Sequence, residues 1–413
     1  MKTVTVLGST GSIGRSTADL LAAHRERYRV LALVANKNAE ILAEQAKHLG
    51  AELAVCSDPS MHKTLQAALA GTGIRVACGE QAVMDAARLG ADWTMAAITG
   101  IAGLAPTLAA AERGGAIALA NKEAVVSAGD VMLRAVRDAG ATLLPVDSEH
   151  NAIFQSLAGS PRDSLEKIIL TASGGPFRLT SVEDMARATP ETALKHPVWS
   201  MGAKISIDSA TLFNKGLEVI EAARLFALDP SQIEVLVHPQ SVIHGMVCYR
   251  DGSVLAQMGA PDMRIPIAHT LAWPERIKTN SPRLDLATIG RLDFLAPDEI
   301  RFPALRIARQ ALQDGGGAPT IMNAANEIAV AAFLNRRIGF LQIAEIVEAT
   351  LDRLGPRPAD SLPLVASLDA EARRIAGQHV QNAGERSDRA GVHSPSPPAF
   401  TAGSLSSLRA DTF

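Results

Sequence analysis

The sequence predicts an α/β protein in three parts: a doubly wound parallel sheet, a central α+β domain and a C-terminal helical bundle. Three observations carry this. Short continuous apolar runs alternate with helical segments over the first 150 residues. A hairpin signal, Asp251-Gly252, then appears among mixed strands and helices up to about Asn280. From Ala304 onwards the apolar spacing is helical throughout.

In the first part the strand candidates are Thr3–Leu7, Arg29–Val34, Leu53–Cys56, Trp93–Ala96, Ala116–Ala120 and Thr142–Val146, with helices such as Ile41–Leu49 and Gln81–Leu89 between them. Strands that are apolar at every position are buried on both faces, as in a parallel sheet covered by helices. Right-handed crossovers then wind the chain into a Rossmann-like domain over residues 1–150.

Residues 151–280 form the second part, with strands Lys167–Thr171, Ile205–Ile207, Ile233–Val237, Val242–Tyr249 and Ser253–Met258. Glycine in Arg250-Asp251-Gly252 accepts the positive φ of a tight turn, so the last two strands pair as a hairpin. Residues 281–303 read as a linker. Helical patterns at Ala304–Leu312, Thr320–Leu334, Phe340–Leu351 and Leu364–Ile375 make a bundle over 304–378. The stretch 379–413 turns polar and rich in Pro and Ser and reads as disordered.

Composition narrows the function classes. Of 413 residues, 47% are apolar and 20% charged, and the net charge is -3, so no cationic excess exists to bind a nucleic-acid backbone. The three cysteines, Cys56, Cys78 and Cys248, form no CxxC pair, which fits a reducing cytoplasm. The N-terminus enters a strand directly without a signal-peptide pattern, and no apolar run approaches the ~20 residues that span a bilayer.

Gly8-Ser9-Thr10-Gly11-Ser12-Ile13-Gly14 follows the first strand and opens a helix. That is where a dinucleotide pyrophosphate sits, against a tight glycine turn and the helix's free amides. At the end of the second strand an NAD enzyme places Asp or Glu against the ribose 2′-hydroxyl. Here the chain reads Asn36-Lys37-Asn38, which would attract a 2′-phosphate, so NADPH is the predicted cofactor; Lys37 also reads as a solvated loop charge.

Carbonyl- and charge-directed chemistry is concentrated between Asn121 and Glu221. Asn121-Lys122-Glu123 ends a buried strand, at the sheet edge where ligands lie, and Lys122 can stabilise a developing oxyanion. The same three residues also read as a helix N-terminus. In Pro145-Val146-Asp147-Ser148-Glu149, two carboxylates spaced by two on an extended chain face one side and ask for a hard cation; an acidic helix cap reads equally well. Ser173-Gly174-Gly175 is a phosphate cradle in type. Gly175-Pro176 and Pro197 bracket a segment of about twenty residues that leads into His196-Pro197-Val198-Trp199, within a candidate flap over 184–203; Trp199 either closes over a substrate or anchors a loop. Further on, Asp208 or Ser209 caps a helix whose apolar stripe is Phe213, Leu217 and Ile220. Asn214 and Glu218 form its polar flank. Gly216 inside that helix implies close packing. His238 and His244 read as structural histidines or ligands.

The motifs LGSTGSIG, NKE, PVDSEHNAIFQ, SGGPF, HPVWSMGAKISIDSATLFNKGLE and HPQSVIHGMV together resemble the 1-deoxy-D-xylulose 5-phosphate reductoisomerases, nearly to Gln378. The resemblance implies NADPH-dependent isomerisation and reduction of a phosphorylated ketose to 2-C-methyl-D-erythritol 4-phosphate in non-mevalonate isoprenoid synthesis. It implies Asp147, Glu149 and Glu218 as ligands for Mg²⁺, Mn²⁺ or Co²⁺. Ser148, Ser173, Ser209, Asn214 and Lys215 are implied as substrate contacts, with Lys122, Glu149, His196, Trp199 and His244 at the reaction. Thr10, Gly11, Ser12, Ile13, Asn36, Lys37, Asn38, Asn121, Glu123 and Gly202 would bind the cofactor. Met201 would join His196 and Trp199 in a flexible flap, and two copies would form a homodimer. The competing readings are a semialdehyde or homoserine dehydrogenase, which needs no such carboxylates, and a non-catalytic NADPH-binding regulator.

Overall fold

The protein is described by a computed structural model over residues 1–199 and 201–389. Seven strands make one parallel sheet: β1 (Lys2–Leu7), β2 (Tyr28–Ala35), β3 (Leu53–Cys56), β4 (Arg75–Cys78), β5 (Trp93–Ala96), β6 (Ala116–Leu119) and β7 (Thr142–Pro145), in the order β4-β3-β2-β1-β5-β6-β7. β5 and β6 are buried at every residue, as their unbroken apolar runs require. The chain winds outward from β1 to β4 and then crosses to the other side of β1 with β5. The crevice for a ligand therefore opens at the carboxyl ends of β1 and β5. β4 was not expected: it is a sheet edge, half-buried at best, and such a strand needs little apolar sequence.

A second, mixed sheet holds β8 (Leu165–Ala172), β9 (Ile233–Val237), β10 (Ile243–Tyr249) and β11 (Val254–Met258), ordered β11-β10-β8-β9. β10 and β11 are the expected antiparallel hairpin, with Gly252 at φ +87°. The predicted strand Ile205–Ile207 is instead part of the helix Ala203–Thr211. Its buried residues Ile207, Ala210 and Thr211 stand at i, i+3 and i+4, and this helical period overrides the short Ile-Ser-Ile alternation. Ser209 lies in the last turn of that helix, so neither it nor Asp208 caps the next one, Phe213–Leu225, which starts from Leu212 at φ +64°.

The helices Ala304–Asp314, Ala318–Leu334, Gln342–Leu354 and Leu362–Arg389 make the C-terminal bundle. It shares one continuous core with the second sheet, in which Phe213, Leu217 and Ile220 meet Leu305, Met322 and Phe333. A Cβ at Gly216 would lie 2.8 Å from Ala308 Cβ, which is the close packing its place in a helix implied. The last helix runs past the expected boundary at residue 378, because Ala372, Ala376 and Val380 continue a buried i, i+4 stripe. The rest of the predicted tail, 390–413, lies outside the described residues. The linker 281–303 carries a short helix, Leu286–Ile289, and Leu295 bridges to Val237 on β9. Among the described residues no helix is long and apolar enough to cross a membrane.

Candidate active site

The nucleotide end is built from backbone. Gly8 has φ +92°, and a Cβ there would lie 2.4 Å from the carbonyl oxygen of Ala97 after β5. A Cβ at Gly14 would lie 2.2 Å from Gly8 O. Two glycines thus bring β1, β5 and the helix Ser12–Ala23 together at the crevice. Gly11 is the extended N-cap, so Thr10, Gly11, Ser12 and Ile13 border amides without an intrahelical partner. Asn38 stands at the N-cap position of the next helix, Ala39–Leu49, with its side chain making no capping hydrogen bond. Asn36 Oδ1 accepts from Ser57, and the Lys37 ammonium, on a side chain 70% exposed, lies 3.7 Å from Asp58. Asp58 shares this corner and was not foreseen; the cue was its position just after β3.

The carboxylate end is built from side chains. β6 delivers Lys122, in the first turn of the helix Lys122–Asp138, and β7 delivers Asp147, the N-cap of the helix Ser148–Leu157. Glu149 therefore joins Asp147 through a helix start rather than through strand alternation; Asp147 occupies the N-cap position, but its side chain makes no capping hydrogen bond and pairs with Lys122 instead. Glu218 comes from the middle of the helix Phe213–Leu225. One oxygen from each of Asp147, Glu149 and Glu218 lies within 4.8 Å of the others.

Two ammonium groups, absent from the pairwise sequence argument, hold this cluster together. Lys122 Nζ pairs with Asp147 and lies 3.0 Å from Glu218 Oε1. Lys215 Nζ lies 2.8 Å from Glu149 Oε1 and pairs also with Glu218. Asn214 accepts from Lys122 at 2.9 Å and donates to Glu218 at 2.5 Å, and Ser148 donates to Glu149 at 2.6 Å. Burial opposes charge on Glu149, but the Lys215 ammonium and hydrogen bonds from Lys215 and Ser148 hold its carboxyl well below the usual range. Burial and the charge of Glu149 push the Glu218 carboxyl up, even against Lys122 and Lys215. Three carboxylates face two ammonium groups, so the cluster remains short of positive charge, and its all-oxygen donor set suits a hard divalent cation.

A second cluster shares Asp147. His150, fully buried, donates from Nε2 to the carbonyl of Glu218 at 2.9 Å, while its Nδ1 faces Glu221 at 3.4 Å. Neither Glu221 oxygen accepts a hydrogen bond, and burial pushes that carboxyl up to about 7 against the pull of His150. Glu221 stands three residues after Glu218, on the same helix face, and that spacing was the signal for it.

The hydroxyl end lies on β8 and the 184–203 segment. His196 Nδ1 accepts from the amides of Val198 and Trp199, so its Nε2 carries the proton and donates to Ser173 Oγ at 2.8 Å. Burial pushes the His196 imidazole down, consistent with that neutral tautomer. Gly175, at φ +65°, brings the Ser173 loop against Ser209, whose carbonyl oxygen would be 2.9 Å from a Cβ there. The Trp199 ring lies 6.2 Å from that of His244, which is buried, hydrogen-bonded to Gly259 O at 3.2 Å and pushed down by desolvation. His238 is structural: Nδ1 meets Asp293 O and Nε2 accepts from Val242. Asn121 donates to Gly100 O and accepts from Ala124. Glu123 meets Lys204 at 3.2 Å, and Gly202 is the N-cap of the Ala203–Thr211 helix. Asn214 and Lys215, expected as substrate contacts, both face Glu218 here, at the carboxylate end.

Three family models match successive stretches of the chain. They are 1-deoxy-D-xylulose 5-phosphate reductoisomerase over residues 4–129, its C-terminal domain over 143–226, and a DXP reductoisomerase C-terminal domain over 258–375. The 1-deoxy-D-xylulose 5-phosphate reductoisomerase of Gluconobacter oxydans is 64% identical over 388 residues, covering 93% of this chain and 95% of the relative. That of Zymomonas mobilis is 59% identical over 372 residues, 90% and 96% of the two chains. Among solved structures, the Zymomonas mobilis enzyme in complex with NADPH superposes with a TM-score of 0.88 at 56% identity, covering 92% of this chain and 99% of its own. A DOX-P reductoisomerase in complex with NADPH, fosmidomycin and magnesium gives 0.87 at 42% identity, covering 92% and 98%. With its crevice, carboxylate cluster and hydroxyl loop on this shared fold, the chain belongs to the 1-deoxy-D-xylulose 5-phosphate reductoisomerase family.

Proposed function

We propose that this chain converts 1-deoxy-D-xylulose 5-phosphate to 2-C-methyl-D-erythritol 4-phosphate with NADPH and a divalent cation, Mg²⁺, Mn²⁺ or Co²⁺. The observation that carries the reading is the buried cluster of Asp147, Glu149 and Glu218, still short of positive charge with Lys122 and Lys215 in place. A semialdehyde or homoserine dehydrogenase, or a binding regulator, gives no reason for that cluster, and relatives covering nine-tenths of the chain carry the reductoisomerase name.

Asp147, Glu149 and Glu218 would hold the cation. When bound, the cation supplies a Lewis acid for the substrate's ketone and adjacent hydroxyl, and NADPH supplies the hydride. Lys122 presents an ammonium to the substrate oxygens, where negative charge develops as the carbon skeleton rearranges. Ser148 and Glu149 orient the hydroxyl end of the substrate, with His244 behind them. Ser173 already accepts from His196 and from the Gly175 amide, so its own proton is free for a phosphate oxygen. Ser209, beside the Ser173 loop, completes the grip on the phosphate, and Asn214 and Lys215, at the carboxylate end, take the hydroxyl beside it. Binding the phosphate away from the reacting carbons orients them, and Trp199 and Met201 exclude water above. Thr10, Gly11, Ser12 and Ile13 take the pyrophosphate; Asn36, Lys37 and Asn38 take the 2′-phosphate; Asn121, Glu123 and Gly202 border the nicotinamide side.

The division of labour follows: residues 1–150 bind nucleotide and bring Lys122, Asp147 and Glu149 to the chemistry, 151–280 with the flap 184–203 complete it with Glu218 and the hydroxyl loop, and 304–378 brace them. β11 is a sheet edge with Val254 and Leu255 half exposed, which supports pairing with a second copy as a homodimer. The chain would work in the cytoplasm, in the non-mevalonate route to isoprenoids. The test is NADPH oxidation followed at 340 nm with the ketose phosphate, with Mg²⁺ or with EDTA. Oxidation that needs both substrate and cation is expected; oxidation unaffected by EDTA would overturn the reading.

A further inference from the structure

Lys204 belongs to neither end of the site as described. It stands two residues after Gly202, in the first turn of the helix Ala203–Thr211, where a cation works against the helix dipole. The helix dipole therefore does not explain its place. Its Nζ lies 2.9 Å from Asp208 Oδ2 one turn on, and 3.2 Å from Glu123 Oε1 at the start of the helix that carries Lys122. Asp208 is buried, and its other oxygen accepts from Asn326 Nδ2 at 2.8 Å, on the helix Ala318–Leu334 of the C-terminal bundle. One residue beyond Asn326, Glu327 pairs at 2.6 Å with Arg373, which Asp369 holds at 2.7 Å on the last helix. A Cβ on Gly100, in the loop after β5 whose carbonyl Asn121 binds, would lie 3.7 Å from Glu327 Oε1. Polar contacts thus run from the crevice edge, through one ammonium, to the helix Ala318–Leu334, whose next residue, Glu327, is tied in turn to the last helix.

From these contacts we infer that Lys204 is a positioning residue, tying the root of the 184–203 segment at once to the crevice through Glu123 and to the C-terminal bundle through Asp208 and Asn326. The inference rests on the proposed reaction. His196 and Trp199 leave the chain five to eight residues before Lys204, so the placing of this root decides whether they reach Ser173 and His244. Lys204 itself touches no reacting group. It acts by reducing the number of arrangements from which the two side chains must be gathered over the substrate.

The experiment compares the full chain with Lys204→Met and Lys204→Arg, measuring kcat and KM for the ketose phosphate at saturating NADPH and Mg²⁺, with melting curves alongside. We expect Lys204→Met to raise the substrate KM about tenfold while the NADPH dissociation constant moves less than about threefold, and Lys204→Arg to recover most of the loss. A Met variant whose only change is a lower Vmax, in proportion to folded protein, overturns the inference, as does an unchanged KM. Should Lys204→Met not fold, Glu123→Gln cuts the crevice arm while removing a charge, and it must raise the same substrate KM; an unchanged KM there also overturns it. An inactive parent chain would instead sink the proposed reaction.

Discussion

The nucleotide turn and the carboxylate cluster stand at carboxyl ends of the same sheet, yet they are made of different material. The turn is backbone: Gly8 and Gly14 let three elements approach within distances that no side chain allows. All of it lies within seven consecutive residues. The cluster is charge: Lys122, Asp147, Glu149, Lys215 and Glu218 come from three helices and nearly a hundred residues of chain, and none has a purpose without the others. The turn fails by steric exclusion and the cluster by loss of balance, so the two are separable by mutation.

The largest separation is expected from Glu218→Gln. The side chain keeps its shape but loses the charge that faces Lys122, Lys215 and the would-be cation. Turnover should fall by about 10³-fold or more, while NADPH affinity, set at the turn, changes less than about threefold. Steady-state rates over a Mg²⁺ titration, with NADPH fluorescence for binding, check both halves. A variant with full, metal-dependent turnover would remove Glu218 from the cation site.

Gly14→Ala probes the other region. The added Cβ would sit 2.2 Å from Gly8 O, against backbone that cannot rotate away. A cost of about 1–3 kcal/mol in stability is expected, along with a tenfold or greater loss of NADPH affinity. The dependence of the remaining activity on Mg²⁺ concentration should not shift. A shifted metal requirement would show that the two regions are not independent.

The same contrast explains what was legible in the sequence. The glycine turn, the unbroken apolar strands of the first sheet and the Asp-Gly hairpin are local patterns, and each was read close to its observed bounds. β4 escaped because an edge strand has little to bury, and Ile205–Ile207 misled because two isoleucines fit a period of two as well as one helical face. In the site, each carboxylate alone also read as a helix cap or a solvated edge; Asp147 does stand at an N-cap position, but its side chain pairs with Lys122 rather than capping the helix. Of the lysines that partly offset the cluster, Lys122 meets it only after folding, whereas Lys215 stands three residues before Glu218 on one helix, a spacing that was there to be read but was not paired with it. The pair of His150 and Glu221 was missed because each stands beside a more conspicuous residue; spacing places Glu221 beside Glu218, but burial is what shows that it and His150 need one another.

That pair sharpens the comparison at its smallest scale, because its charge balance is set by a proton rather than by a lysine. The Glu221 carboxyl is raised to about 7, chiefly by burial. A carboxyl raised in the folded state binds its proton more tightly there than in the unfolded chain. Its contribution to stability is therefore complete below the unfolded value near 4.5 and is lost as pH rises through about 7. Glu221→Gln holds the neutral form at every pH and should remove that slope, making the variant the more stable form, by roughly 1–3 kcal/mol, above pH 7 and nearly equal to the parent at pH 5. Melting temperatures across that range, in EDTA so that no cation competes for Asp147, measure it. Parallel curves for parent and variant would show that His150 keeps Glu221 ionised throughout. The second cluster would then be an ion pair of the same kind as the first.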